Sequence, residues 1–264
     1  MSIRSRILII TFFIGITCFP VQGIAENNIP FYPEEKMYFQ VYWSFIKAGE
    51  AVIELLPVED ISGVKLYHFV YTARTTPFVD MFYKVRDKID SYTDTHMTHS
   101  LLYKKSHQGK SQKEVTVTFD LERQEVQYSD LHEKREPVSI TPGTFDPLSV
   151  FYAFRLHDLH INDEFSIPVT DGKKYVIGKA KVIKRERVTV LGTPYDTFLV
   201  EPELEHVGGV FEKSKDAKLQ IWVTADDRRI PVRIKSKVKV GSFVAELTSF
   251  EKGSAPAEYP GENE

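Results

Sequence analysis

Residues 221–241 read "IWVTADDRRIPVRIKSKVKVG". Ile230, Val232 and Ile234 recur at every second position, and the alternate positions carry Arg229, Arg233, Lys235, Lys237 and Lys239. A spacing of two is that of a half-buried β-strand, since a helix would place its apolar residues three and four apart. Asp226-Asp227 reads as the turn between two such strands, because aspartate tolerates turn geometry. In a curved sheet the side of Ile230, Val232, Ile234, Val238 and Val240 faces the interior and the five cations form a basic outer surface. The plain reading of such a row is a solvated face whose lysines discourage edge-to-edge pairing. The sharper reading is a docking strip for anionic lipid headgroups or an acidic partner.

The same period runs outward through the chain. Met37, Phe39, Val41, Trp43 and Phe45 alternate with Tyr38, Gln40, Tyr42 and Ser44, and a Lys47-Ala48-Gly49 turn is expected to lead into a partner strand at 51–56. Further strands are expected at 66–74, 83–93, 100–105, 113–120, 125–129, 164–168, 173–190, 195–200, 218–224, 229–240 and 243–250. One segment, "TFDPLSVFYAFRL" at 144–156, changes to helical spacing, with Asp146 as N-cap, Pro147 at the first helical position, and Leu148, Phe151, Tyr152 and Arg155 on one face. A shorter helical turn is expected at 77–82. Residues 131–146 are placed to join two half-sheets. The predicted fold is mainly β: a large curved antiparallel sheet or half-open β-barrel with one central helix.

The chain opens with Arg4 and Arg6, an apolar run from Ile7 to Ile16, and a small-residue pattern ending at Ala25. This is the layout of a signal peptide over residues 1–25, shorter in its apolar run than a membrane-spanning helix, and it implies export to the periplasm. Cys18 is the single cysteine, and Gly15, Ile16 and Thr17 before it fit a lipobox poorly. Cleavage after Ala25 leaves no thiol for disulfides, nucleophilic catalysis or metal binding. It also leaves 32 basic and 37 acidic residues, a net charge of −5 that argues against nucleic acid as a partner. Residues 26–252 are read as one β-rich domain and 253–264 as a disordered tail.

Motifs for catalysis are missing: there is no Gly-x-Ser-x-Gly elbow, phosphate-cradling glycine loop or His-Glu-x-x-His. Acid pairs such as Asp226-Asp227 read as turns. His157 and His160 are spaced to meet one ion, but they need a third ligand from Asp163 or Glu164, and no metal or other cofactor is expected. Aromatic residues are plentiful, and several strands are apolar on both faces. The first reading is therefore a non-catalytic periplasmic protein that holds a lipid-like or other apolar ligand in its half-barrel for envelope maintenance. Phe39, Trp43, Phe151, Trp222 and Ile234 are the expected ligand-binding residues. The alternative is a structural or adaptor protein with a self-filled core that contacts another envelope protein. Peripheral membrane contact is compatible with either.

Three segments together, "MYFQVYWSFIKAGEAVIEL", "FDPLSVFYAFRL" and "IWVTADDRRIPVRIKSKVKVGSFVAEL", resemble the bacterial domain of unknown function 3108 family across nearly the whole chain beyond residue 25. That resemblance implies an exported envelope protein with no assigned activity. The closing region is also similar in pattern to periplasmic lipoprotein carriers, which implies a half-open barrel around an apolar group by analogy alone.

Overall fold

The computed structural model describes residues 29–109, 112–203, 217–238 and 241–254. The expected signal peptide, Lys239 and Val240, and residues 255–264 lie outside them. In chain order the strands are β1 (Lys36–Trp43), β2 (Ile46–Leu55), β3 (Glu59–Ile61), β4 (Val64–Thr75), β5 (Arg86–Asp94), β6 (Ser100–Gln108), β7 (Gln112–Asp120), β8 (Glu125–Asp130) and β9 (Val138–Ser139). They continue as β10 (Glu164–Thr170), β11 (Tyr175–Val190), β12 (Thr193–Pro202), β13 (Lys218–Thr224), β14 (Pro231–Val238) and β15 (Gly241–Glu251). Two short helices, α1 (Pro77–Asp80) and α2 (Ser149–Phe154), interrupt them.

All fifteen strands join one antiparallel sheet in the order β10-β11-β12-β13-β14-β15-β1-β2-β4-β5-β6-β7-β8-β9, with β3 paired to β4. The order follows the sequence except at one place: β15, the last strand, pairs with β1, the first. The two half-sheets meet there, and the edges left over are β9 and β10. The connection between those edges also ties them together. Phe145 makes a parallel bridge to Val169, its N–H donating to the Pro168 carbonyl at 2.9 Å and its carbonyl accepting from Thr170 at 2.9 Å. The result is the large curved, barrel-like sheet that the alternating pattern predicts.

One hairpin turns earlier than expected. Lys47, Ala48 and Gly49 lie inside β2, and the turn is Ser44-Phe45, with Ser44 at φ 55°. Gly49 serves close strand approach instead: a Cβ there would sit 2.4 Å from the Arg74 carbonyl oxygen on β4. Glycine inside a strand can mark such a close approach as well as a bulge or bend.

The core follows from the pairing, because directly opposed residues share a face. Met37 lies opposite Ile53, and Phe39 opposite Ala51 and Leu247, all of them buried. α2 covers this face and stacks Tyr152 on Phe69 at 4.0 Å between ring centres, with Phe31 edge-on to Tyr152 at 5.0 Å. β12 and β13 are buried on both sides: Leu199 and Trp222 join the main core, while Phe198, Val200 and Val223 form another under Leu159.

Burial raises the hydroxyl pKa of Tyr103 and Tyr152, and raises that of Tyr71 to about 12, with Asp87 adding to the effect at Tyr71. An acid whose folded pKa is raised contributes stability that is fully present below its unfolded value, about 10 for tyrosine, and lost as pH climbs through the folded value. Alkaline unfolding is therefore expected between about pH 10 and 12, with tyrosinate absorbance and loss of strand circular dichroism rising together. Full tyrosine titration near pH 10 with the sheet intact would contradict this burial.

Candidate functional site

The β13–β14 turn organises one end of the molecule. Thr224 Oγ1 donates to Asp226 Oδ1 at 2.6 Å and accepts from the Ile230 N–H at 2.9 Å, so the turn closes on its own side chains. Arg228 donates through Nη2 to Asp226 Oδ2 at 2.7 Å. Burial alone would raise the Asp226 carboxyl pKa; the hydrogen bonds from Thr224 and Arg228 outweigh it and hold the pKa below its ordinary value.

Arg229 is a correction. It was expected on the basic outer face of a strand, but it sits in this turn at φ 49° and is buried. Its Nη1 donates to the Arg155 carbonyl at 3.0 Å and to the Asp227 carbonyl at 2.8 Å, and its Nη2 pairs with Asp158. Strand period cannot apply to it, since β14 begins only at Pro231.

Arg155, at the end of α2, fixes the turn from below. Its side chain is 0% exposed and that of its partner Glu35 3%. Nη1 and Nη2 donate to the two Glu35 carboxylate oxygens at 2.5 and 3.1 Å, and Nε donates to the Arg228 carbonyl at 2.9 Å. The guanidinium also lies 5.3 Å from the ring centres of both Phe31 and Tyr152. One side chain thus joins the N-terminal segment, α2 and the β13–β14 turn. The start of α2 is held by Asp146, which is fully buried. Its Oδ2 accepts from the hydroxyls of Ser91, Ser100 and Ser149 at 2.6 to 2.7 Å, and its Oδ1 from the N–H groups of Leu148 and Ser149 at 2.8 and 3.0 Å. Asp146 was expected as the N-cap with Pro147 opening the helix; the helix begins at Ser149 with Leu148 as its N-cap, and Asp146 closes the turn that leads into it.

Beside the turn lies a cleft of about 520 Å³. Ile230, Val232, Leu247, Phe250 and Tyr195 supply its apolar lining. Two half-exposed ion pairs complete it: Arg185 Nη2 to Asp196 Oδ2 at 2.5 Å, and Arg228 to Asp226. Hydrogen bonding from Arg185 keeps the Asp196 pKa below its usual range. Aliphatic and aromatic surface next to two guanidinium–carboxylate pairs can hold an apolar body by dispersion and orient a charged end.

The five residues expected to bind ligand are not gathered there. Phe39 is buried in the main core, as is Trp222, whose indole N–H donates to Glu186 Oε1 at 2.9 Å. Phe151 is partly buried, edge-on to Tyr152, and Ile234 is partly buried opposite Ile221 and Ala245. Trp43 is a correction: it is 41% exposed at the end of β1, not interior. A register shift between Val41 and Tyr42 breaks the alternation before it, and its indole packs where a Cβ on Gly241 would sit, 2.8 Å from Nε1. The basic row is also interrupted. Arg233 is paired with Glu246 at 2.7 Å and lies over the Trp222 ring, which leaves Lys235 and Lys237 exposed; Lys239 is outside the described residues.

His160 contacts Asp163 at 3.2 Å, whereas His157 packs against Phe165 and its pKa is lowered by burial. Among the described residues no three His, Cys, Asp or Glu side chains are grouped to hold a metal ion. His68 is a cross-strand brace, with Nδ1 2.5 Å from Glu59 and Nε2 2.9 Å from Asp90. No described helix is long and apolar enough to cross a membrane. The residues that sequence reasoning missed are Arg155 with Glu35, and the lining of the cleft. The available signal was an arginine set inside the apolar run "VFYAFRL".

No curated protein matches the chain. Among solved structures, the chain is similar to a β-barrel-like protein of domain of unknown function DUF1849 from Brucella abortus, with TM-score 0.54 and 10% identity over 85% of this chain and 100% of that one. It is also similar to a protein from Bacteroides fragilis described as exported with a YmcC-like fold, with TM-score 0.38 and 8% identity over 84% and 99% of the two chains. The first likeness shows the barrel-like fold. A family model described as "Protein of unknown function (DUF3108)" matches residues 38–248, most of the chain, and the protein therefore belongs to that family.

Proposed function

We propose that this is an exported envelope protein that binds a lipid-like amphiphile without chemical conversion, and that the cleft beside the β13–β14 turn is the binding site. The observation that carries this reading is the cleft itself. At about 520 Å³ it falls within the range of small-ligand pockets, roughly 300–1,000 Å³, and it combines an apolar lining with the Arg185 and Arg228 pairs. The N-terminal sequence supports export to the periplasm. A short apolar tail would lie against Phe250 and Tyr195, over the buried Ile230, Val232 and Leu247, and an anionic head at the arginines.

Fluorescent fatty-acid titration tests the site. Ala225→Trp, at a partly buried lining position, should fill the cleft and lower uptake by about tenfold or more, as loss of a pocket of this kind implies. Arg185→Gln with Arg228→Gln should weaken a fatty acid more than the neutral fatty alcohol. Unchanged uptake in Ala225→Trp would remove the cleft from consideration. A second reading, an adaptor acting through protein contacts, is supported by the centre of the sheet, where Phe31, Phe69, Tyr152 and Arg155 fill the space under α2. No uptake by the wild-type protein would favour it.

A further inference from the structure

The end of the sheet opposite the β13–β14 turn has a different character. Strand register brings four neighbouring hairpin ends together there: β14–β15, β1–β2, β4–β5 and β6–β7. Trp43 lies opposite both Ile46 and Phe243, Gly49 opposite Thr75, and Arg86 opposite Gln108. The Thr76 N–H donates to the Ala48 carbonyl at 2.9 Å, which ties α1 to the β1–β2 hairpin.

These tips project large apolar side chains into solvent. Phe45 is 92% exposed, Met81 70% and Phe82 68%, with Phe78 and Tyr83 also more than half exposed. Phe78 and Phe82 stack edge-on at 5.8 Å, so this is a preformed ridge. Isolated exposed apolar residues are ordinary, but a cluster of this kind marks a contact surface.

Charge identifies the contact. Counting each turn with two strand residues on either side, the described residues of the four tips carry six cations and two carboxylates. The five turns at the other end, β11–β12, β13–β14, β2–β4, β5–β6 and β7–β8, carry nine carboxylates and four cations by the same count. The chain as a whole is acidic, at −3. Cations interleaved with Trp, Tyr and Phe on projecting loops suit the headgroup region of a bilayer, where aromatic rings sit at the interface and lysines meet anionic lipid. Two of the cations, Lys47 and Lys84, flank the apolar tips directly.

We infer that this rim docks on the surface of an anionic lipid bilayer, with Phe45, Met81 and Phe82 entering the interface. The surface lies at the other end of the sheet from the cleft and stands independently of it. Co-sedimentation with vesicles of phosphatidylcholine alone, or mixed with phosphatidylglycerol, tests the inference. The protein should bind the anionic vesicles at least about tenfold better, and added salt should release it. Phe45→Ser with Phe82→Ser, and separately Lys47→Glu with Lys84→Glu, should each reduce that binding by about tenfold or more. All four positions are outside the core, and fatty-acid uptake by the cleft should be unchanged, which separates this test from that of the binding site. No binding to anionic vesicles, or binding as strong as the wild type's by both double variants, would overturn the inference. Dimerisation of the wild type that Phe45→Ser with Phe82→Ser abolishes would also overturn it, because the ridge would then be a contact between copies of the chain.

Discussion

Arg155→Ala is expected to destabilise the fold by about 3–5 kcal/mol, the usual cost of removing one partner from a buried ion pair. Glu35, at 3% exposure, would be left buried without its partner, and the Arg228 carbonyl would lose its donor. The loss would spread to the N-terminal segment and the β13–β14 turn, because Arg155 is where they meet. Arg155→Met combined with Glu35→Leu should recover much of the stability, since a buried pair replaced by apolar residues of similar size is often neutral or better. Urea denaturation of the three proteins measures both effects. A single variant within about 1 kcal/mol of wild type would show the pair to be weak.

Asp146→Ala is expected to cost a comparable amount, about 3–5 kcal/mol. Removing the carboxylate takes the acceptor from three buried serine hydroxyls and two backbone N–H groups. A lost cap is worth about 1 kcal/mol, and each buried donor left unpaired about 1–3 kcal/mol, with some recovered as the serines rebond to one another. Ser100 and Ser149 already lie 2.6 Å apart and can do so. Asp146→Asn keeps one carbonyl oxygen for the backbone and should lose less. Equal stability of Asp146→Ala and wild type would mean that α2 is placed by packing alone.

The strands were legible because alternation over six or more residues survives local irregularity. The β13 limits, Lys218–Thr224, coincide with expectation, and β14 differs from it mainly at its turn. What could not be read depends on contacts distant in sequence. Trp43 follows a register shift that appears only once β1 and β2 are paired. Arg229 looks like one member of a charge row until Asp158 and the Arg155 carbonyl, some seventy residues away, surround it. Gly49 reads as a turn residue in the sequence because only the position of Arg74 on β4 shows what its missing side chain permits. The cleft draws its lining from β11, β12, the β13–β14 turn, β14 and β15, a combination that no local spacing encodes.

Native mass spectrometry of the protein purified from the cells that make it, followed by organic extraction, tests the binding claim most directly. The wild type is predicted to carry a stoichiometric amphiphile and Ala225→Trp to emerge without it. A bare wild-type mass, with no uptake of added fatty acid, would contradict the claim.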